Sequence, residues 1–338
     1  MSGSDAAAVS ARPHGGRPDV DAPDRADRLA RLLQRNGALM VLVVVVVVGA
    51  LAFDTFGTAE NLKNIAINNA FLALVGFGMT FVIISGGIDL SVGSQLALGG
   101  VLAALMVPVS WVLAILVPVA VCGLIGCGQG LLIAKARMAP FIVTLAGLLG
   151  IRGLALALAG EQPIGIANDS PFVWFGQGQI LGLTTPIVFL IVAFAVGALV
   201  LTRTRYGQAV FAIGGSEESA RLMGIPVERT KIIAYTTSGA LSGFAGALLA
   251  ASLAAGQPVA GAGWELDAIS AVVVGGTLLT GGAGTLSGSF AGVLLLGILL
   301  NVINQLGTLG SYTQQLVSGV FLIAVVLVQA YLTRRQRS

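Results

Sequence analysis

Gly86-Gly87-Ile88-Asp89-Leu90-Ser91-Val92-Gly93-Ser94 places a carboxylate, two hydroxyls and three glycines between two long apolar runs. Placing an ionised carboxylate in hydrocarbon costs about 2.5–3.5 kcal/mol even on the lenient insertion scale. The glycines weaken a helix there and let other backbone approach closely. A polar, broken segment at membrane depth is tolerated only where it is buried in protein or lines a watery cavity. The stretch therefore reads as an interruption between membrane helices, in a chain that moves something across the bilayer.

Composition supports the membrane. Of the 338 residues 56% are hydrophobic and only 10% charged, with mean hydropathy +0.94. A soluble domain has about 25% charged residues. Forty-seven glycines and few aromatics point to helices packed closely through small residues. The net charge of +3 is no argument for nucleic acid, because the cations fall in a few short stretches. Cys122 and Cys127 lie five residues apart in one apolar run and do not share a helix face, so they read as buried free thiols. The only histidine, His14, lies in the polar tail, which argues against histidine catalysis and metal clusters.

Residues 1–37 form a polar tail with six arginines and five aspartates, expected to be disordered. Ala50-Leu51-Ala52 resembles a signal-peptidase site. The long tail and the many later spans favour an uncleaved first helix instead. The expected fold is all-α and polytopic, with about ten membrane segments near 38–53, 62–84, 92–107, 112–134, 141–159, 186–202, 232–255, 269–282, 286–306 and 312–331. Two of these, 92–107 and 269–282, are shorter than the ~20 residues of a straight span and rich in glycine, hence broken or re-entrant.

Charge fits this topology. Lys and Arg occur in the tail, at Lys135 and Arg137, across 203–231 (Arg203, Arg205, Arg221, Arg229, Lys231) and at Arg334, Arg335 and Arg337. All fall on one side if the N-terminus is cytoplasmic, as cytoplasmic loops require. The opposite loops, 54–61, 107–111, 160–185, 256–268 and 307–311, contain neither residue. Lys63, at an outer helix end, and Arg152, inside the fifth span, stand apart. Arg152 must find protein or water; Asp89 and Glu161 are candidate partners, and snorkelling to an interface is the alternative.

A weak internal repeat is visible. Val75-Gly76 leads to Gly86-Gly87 and Leu90-Ser91, while Val274-Gly275 leads to Gly281-Gly282 and Leu286-Ser287. Glycine-interrupted segments in two halves point to a central binding site, although two low-complexity stretches can match by chance. Amides at Asn68, Asn69, Asn301, Asn304 and Gln305 sit in or near spans of both halves. They are candidates to line a pathway, though such amides more often bond between helices. Trp174 and Phe172, with Glu161 and Asp169, mark the outer loop 160–185 as either a docking surface or an aromatic anchor.

Gly215-Ser216-Glu217-Glu218-Ser219-Ala220-Arg221-Leu222-Met223-Gly224-Ile225-Pro226 reads as a short self-capped helix in the longest cytosolic loop. Ser216 is an N-cap, Glu217 and Glu218 suit the first turn, Arg221 the last, Gly224 the C′ position, and Pro226 stops it. It is either a rigid foot for a partner or an ordinary loop helix.

Four stretches together carry a family resemblance: Gly86 to Ser94; Gly130-Leu131-Leu132-Ile133-Ala134-Lys135 through Pro140-Phe141-Ile142-Val143-Thr144-Leu145; Arg205-Tyr206-Gly207 through Gly224-Ile225; and Leu266-Asp267-Ala268-Ile269 through Gly275-Gly276-Thr277, Gly281-Gly282 and Gly284. Over about 38–331 the chain resembles the permease subunits of ABC importers of the ribose/galactose/xylose/arabinose class. Gln129 and Ser216 depart from it, standing where asparagine is usual. The resemblance implies a permease domain over 38–331 with short cytoplasmic tails (1–37 and 332–338) and a coupling loop at 203–231. It implies a second permease subunit, a cytoplasmic ATPase that binds the ATP, and an extracytoplasmic sugar-binding protein. Gly215, Ser216, Glu217, Glu218, Ala220, Arg221 and Gly224 would form the element that meets the ATPase. Gly86, Gly87, Asp89, Ser91 and Gly93, with Arg152 and the amides, are the candidates for pathway or hinge. The chain lacks a Gly-x-x-x-x-Gly-Lys-Ser/Thr loop, so no ATPase site, cofactor or metal of its own is expected. The rivals are a branched-chain amino-acid ABC permease, an ion-coupled secondary transporter and a membrane-embedded enzyme. The second would want more intramembrane carboxylates than Asp89, and the third would want histidines or clustered acids.

Overall fold

A computed structural model describes residues 42–305, with Leu316, Gly319, Val320 and Ile323. The N-terminal tail with His14, all but those four residues of the tenth expected span at 312–331, and the C-terminal basic residues lie outside the described set. Twelve helices occur within residues 42–305: α1 (Leu42–Ala52), α2 (Ala59–Ile84), α3 (Val92–Met106), α4 (Leu113–Ala134), α5 (Pro140–Ala159), α6 (Trp174–Gln177), α7 (Thr185–Arg203), α8 (Arg205–Gly215), α9 (Glu217–Leu222), α10 (Val227–Leu253), α11 (Trp264–Val274) and α12 (Leu286–Gln305). Six of them, α2, α4, α5, α7, α10 and α12, are long and apolar enough to cross a membrane, and α1 and α3 are shorter apolar helices. The chain is therefore an all-α polytopic membrane protein.

Local chemistry sets the ends. Thr58 caps α2, its hydroxyl accepting from Asn61 N at 3.3 Å. Pro140 starts α5, where its missing N–H costs nothing, and left-handed Gly160 ends it. The first nine expected segments each coincide with a helix, with one displacement. Helix α11 begins at Trp264 and stops at Val274, whereas 269–282 was expected. Residues 275–285 form turns instead, because Gly276, Gly281 and Gly282 adopt φ of +91°, +84° and +76°, which a helix does not contain. The expected break at 92–107 also moves: α3 is continuous, and the interruption lies before it, at 85–91.

Helix α10 is the central element, packed on α2, α3 and α4. Small residues permit the approach. A Cβ on Gly126 of α4 would stand 2.2 Å from the Tyr235 carbonyl oxygen, so only glycine fits there. In lipid, such van der Waals contact replaces the hydrophobic drive between helices. Outward faces of α5 and α7 expose Ile142, Leu149, Val192 and Val196, as acyl-chain contact requires. Two short antiparallel pairs tie the loops at one end. Strand β1 (Ile164–Gly165) pairs with β4 (Ala255–Gly256), while β2 (Gln179–Ile180) and β3 (Leu183–Thr184) form a hairpin.

Candidate functional site

The interruption at 85–91 folds around Asp89, which is fully buried. Its Oδ1 accepts from Ser91 N at 3.0 Å and Ser91 Oγ at 2.6 Å, and its Oδ2 accepts from Ser238 Oγ at 2.8 Å. The first two bonds place the carboxylate at the start of α3, where the helix dipole favours an anion. Ser91 Oγ in turn accepts from Gln95 Nε2 at 2.8 Å and Gln129 Nε2 at 3.0 Å. Neighbouring Ile88 O accepts from Tyr235 OH at 3.2 Å. Three helices, α3, α4 and α10, thus grip one loop through side chains that are satisfied by each other. Gln95 Oε1 alone in this cluster is buried without a partner.

The glycines make this possible. Gly86 is left-handed at φ +82°, and a Cβ on Gly87 would stand 2.4 Å from the Tyr235 hydroxyl. At Gly93 a Cβ would meet the Gly261 carbonyl at 2.3 Å. Asp89 therefore both accepts a backbone N–H and starts the next helix. Ser94 takes no part in this and donates to Leu148 O at 2.8 Å. Gln129 reaches Ser91 with its amide and fills the space beside Gly147, where a Cβ would stand 2.1 Å from its Nε2.

Arg152 pairs with neither Asp89 nor Glu161. Its Nη1 donates to the carbonyls of Pro258 at 2.9 Å and Ala260 at 2.7 Å, and Glu265 is the acid whose charge bears on it. Helix α5 carries the guanidinium two turns before its C-terminal end, toward the turns that precede α11. Sequence reading did not pick out Glu265; the Trp264-Glu265 start of a short apolar helix was its only signal. The amides are dispersed. Asn301 Nδ2 donates to Asn61 Oδ1 at 2.9 Å, joining α12 to the start of α2, and Gln305 Nε2 donates to Asn301 Oδ1 at 3.0 Å. Asn69 Nδ2 donates to Ile65 O at 2.7 Å within α2, and Asn68 and Asn304 are exposed. None of them joins the Asp89 cluster. In the 160–185 loop, Phe172 is buried and Trp174 is exposed, edge-on to Phe175.

The second constellation is α9. Ser216 Oγ accepts from Ser219 N at 3.2 Å, the expected N-cap. At the other end Gly224 is left-handed at φ +77°, Gly224 N donates to Arg221 O at 3.0 Å and Ile225 N to Ala220 O at 3.0 Å. This is the paired-bond C-cap that glycine makes possible. Ala220 is buried against Ile213 and Val227, which anchors α9 to α8 and α10. Arg221 lies 3.4 Å from Glu217 and 3.6 Å from Glu228, and Lys231 bonds the other Glu217 oxygen. The Lys231 hydrogen bond holds the Glu217 carboxyl below its ordinary range, against a smaller opposing effect of burial. The tip exposes Leu222 and Met223, 84% and 68% accessible. Sequence reading missed α8 and the Lys231 contact, and it did not foresee that apolar tip.

The family described as branched-chain amino acid transport system / permease component matches residues 61–326. The ribose import permease protein RbsC of Bacillus subtilis (strain 168) is 41% identical over 300 residues, covering 88% of this chain and 93% of that protein. The RbsC of Escherichia coli (strain K12) is 40% identical over 304 residues, covering 88% and 94%. The L-arabinose transport system permease protein AraH of Escherichia coli (strain K12) is 36% identical over 319 residues, covering 94% and 97%. No solved structure matches the chain.

Proposed function

Since the chain belongs to the branched-chain amino acid transport system / permease component family, we propose that it is the membrane subunit of an ABC importer for a ribose-like monosaccharide. The observation that carries this reading is α9: a helix capped at both ends, rooted through Ala220 and presenting exposed Leu222 and Met223. A lone loop helix has no reason to hold two apolar side chains in water, whereas a foot that docks into a partner does. The partner is a cytoplasmic ATPase, which binds the ATP and drives alternating access. An extracytoplasmic binding protein delivers the sugar, a second copy of the permease completes the membrane unit, and both termini are cytoplasmic. Within this scheme 38–331 is the permease domain, and Asp89 with its glycines is the hinge of the pathway rather than a sugar ligand, since its oxygens are taken by Ser91 and Ser238.

The test is reconstitution of the chain in vesicles with its cognate ATPase and binding protein. The expected result is ATP-dependent uptake of labelled ribose or arabinose, with leucine neither carried nor competing. Leucine uptake would select the amino-acid reading that the family's description allows. Uptake that ignores ATP and follows an ion gradient would contradict both.

A further inference from the structure

The two repeated glycine pairs are far apart in sequence and meet in space, and the chain leading into α9 lies against both. Gly282 N donates to Ile84 O at 2.9 Å, so the turn after α11 is hydrogen-bonded to the last residue of α2. Gly214 covers that bond. A Cβ there would stand 1.8 Å from Ile84 O and 2.3 Å from Gly282 N. Gly281 closes the junction from the other side. It is left-handed at φ +84°, and a Cβ on it would stand 2.9 Å from Gly86 N and 3.0 Å from Gly214 Cα. Backbone thus touches backbone with no side chain between, two residues before Ser216, the N-cap of α9.

This arrangement makes mechanical sense. Side chains can rotate to absorb a displacement, but packed backbone cannot. From Ile84 the chain runs five residues to Asp89 and the start of α3. From Gly282 it runs four residues to Leu286 and the start of α12. A shift of α9 reaches both interruptions at one point. We infer that Gly214, seated on the Ile84–Gly282 hydrogen bond, is the positioning residue through which α9 moves both interrupted segments together. The inference rests on α9 being the ATPase contact. It adds that the internal repeat exists to give that contact two symmetric outputs.

The test compares Gly214→Ala and Gly281→Ala with Gly128→Ala, an α4 glycine with nothing near its Cβ position. Each full transporter is reconstituted with ATPase and binding protein, and the ATP hydrolysed per sugar imported is measured. The two junction variants are expected to retain the ATPase and hydrolyse ATP, while using about fivefold or more ATP per sugar. Gly128→Ala should keep the wild-type ratio. Assembled junction variants with the wild-type ratio, or an equal loss in Gly128→Ala, would overturn the inference. Should either junction variant fail to assemble, hydrogen exchange on the unmodified complex decides. Peptides spanning 82–90 and 278–286 should change exchange together with 214–224 when ATP binds, and no change in the first two would overturn it. Failure of the unmodified complex to import sugar with ATP would instead refute the importer reading itself.

Discussion

Ser238 Oγ donates to Asp89 Oδ2 at 2.8 Å, so the central helix α10 holds the interruption between α2 and α3 by a hydrogen bond across the interior. Asp89 has no cation partner among the described residues; its oxygens are held by two hydroxyls and one backbone amide at the start of α3. Replacing it by asparagine keeps the shape and turns one of its two accepting oxygens into a donor. Leaving a buried donor or acceptor unsatisfied costs about 1–3 kcal/mol. Asp89→Asn should therefore insert and assemble but import sugar poorly, measured as uptake per amount of membrane protein. Full uptake would remove Asp89 from the mechanism.

Arg152 and Glu265 form a second coupled pair. Arg152→Met removes the donor to Pro258 O and Ala260 O and takes the nearby positive charge away from Glu265. It should lower thermal stability in detergent by about 1.5–3 kcal/mol. Adding Glu265→Gln should recover part of that loss, because each charge bears on the other and the two substitutions are then not additive. Strictly additive effects of the two substitutions would show that the charges do not interact.

The N-cap of α9 gives a smaller effect. Ser216→Ala should cost about 1 kcal/mol of local stability, while Ser216→Asp should restore it. Hydrogen exchange across 217–222 reads this directly. The departure from the family's usual asparagine at this position is then harmless, since serine and asparagine cap equally well.

Acid should loosen the foot. The Glu217 carboxyl is held below its ordinary range by Lys231, so its stabilisation is complete above the unfolded-state value of about 4.3 and is lost as pH falls through the lower native value. Glu217 is nearly half exposed, so the amount is under about 1 kcal/mol. Exchange of α9 amides should be flat from neutral pH down to about 5 after correction for intrinsic rates, and rise only in stronger acid. Lys231→Met should shrink that acid step, leaving the smaller part due to Arg221; an unchanged step would assign it to another carboxylate.

Much of this architecture was legible because membrane helices are written in composition. Helices α2, α4, α5, α7 and α12 end within three residues of the hydropathy boundaries, and Ser216, Gly224 and Pro226 marked α9 through local capping chemistry. Contacts between distant segments were not legible. Arg152 bonds backbone carbonyls 106 and 108 residues away, and a carbonyl carries no residue identity for a sequence to display. Helix α8 was missed because Arg205, Gly207 and Gln208 read as loop, although Val210 and Ile213 bury its inner face. Asn301 looked like a pathway amide and is instead joined to Asn61, a partner that only the fold brings near.

The most direct measurement is labelled ribose uptake into vesicles holding this chain, its ATPase and its binding protein. It is made with and without ATP, beside a variant with Glu217, Glu218 and Arg221 all replaced by alanine. The account predicts ATP-dependent uptake that is lost in the variant while the permease itself remains in the membrane. Uptake unchanged in the variant, or driven by an ion gradient without ATP, would contradict coupling through α9.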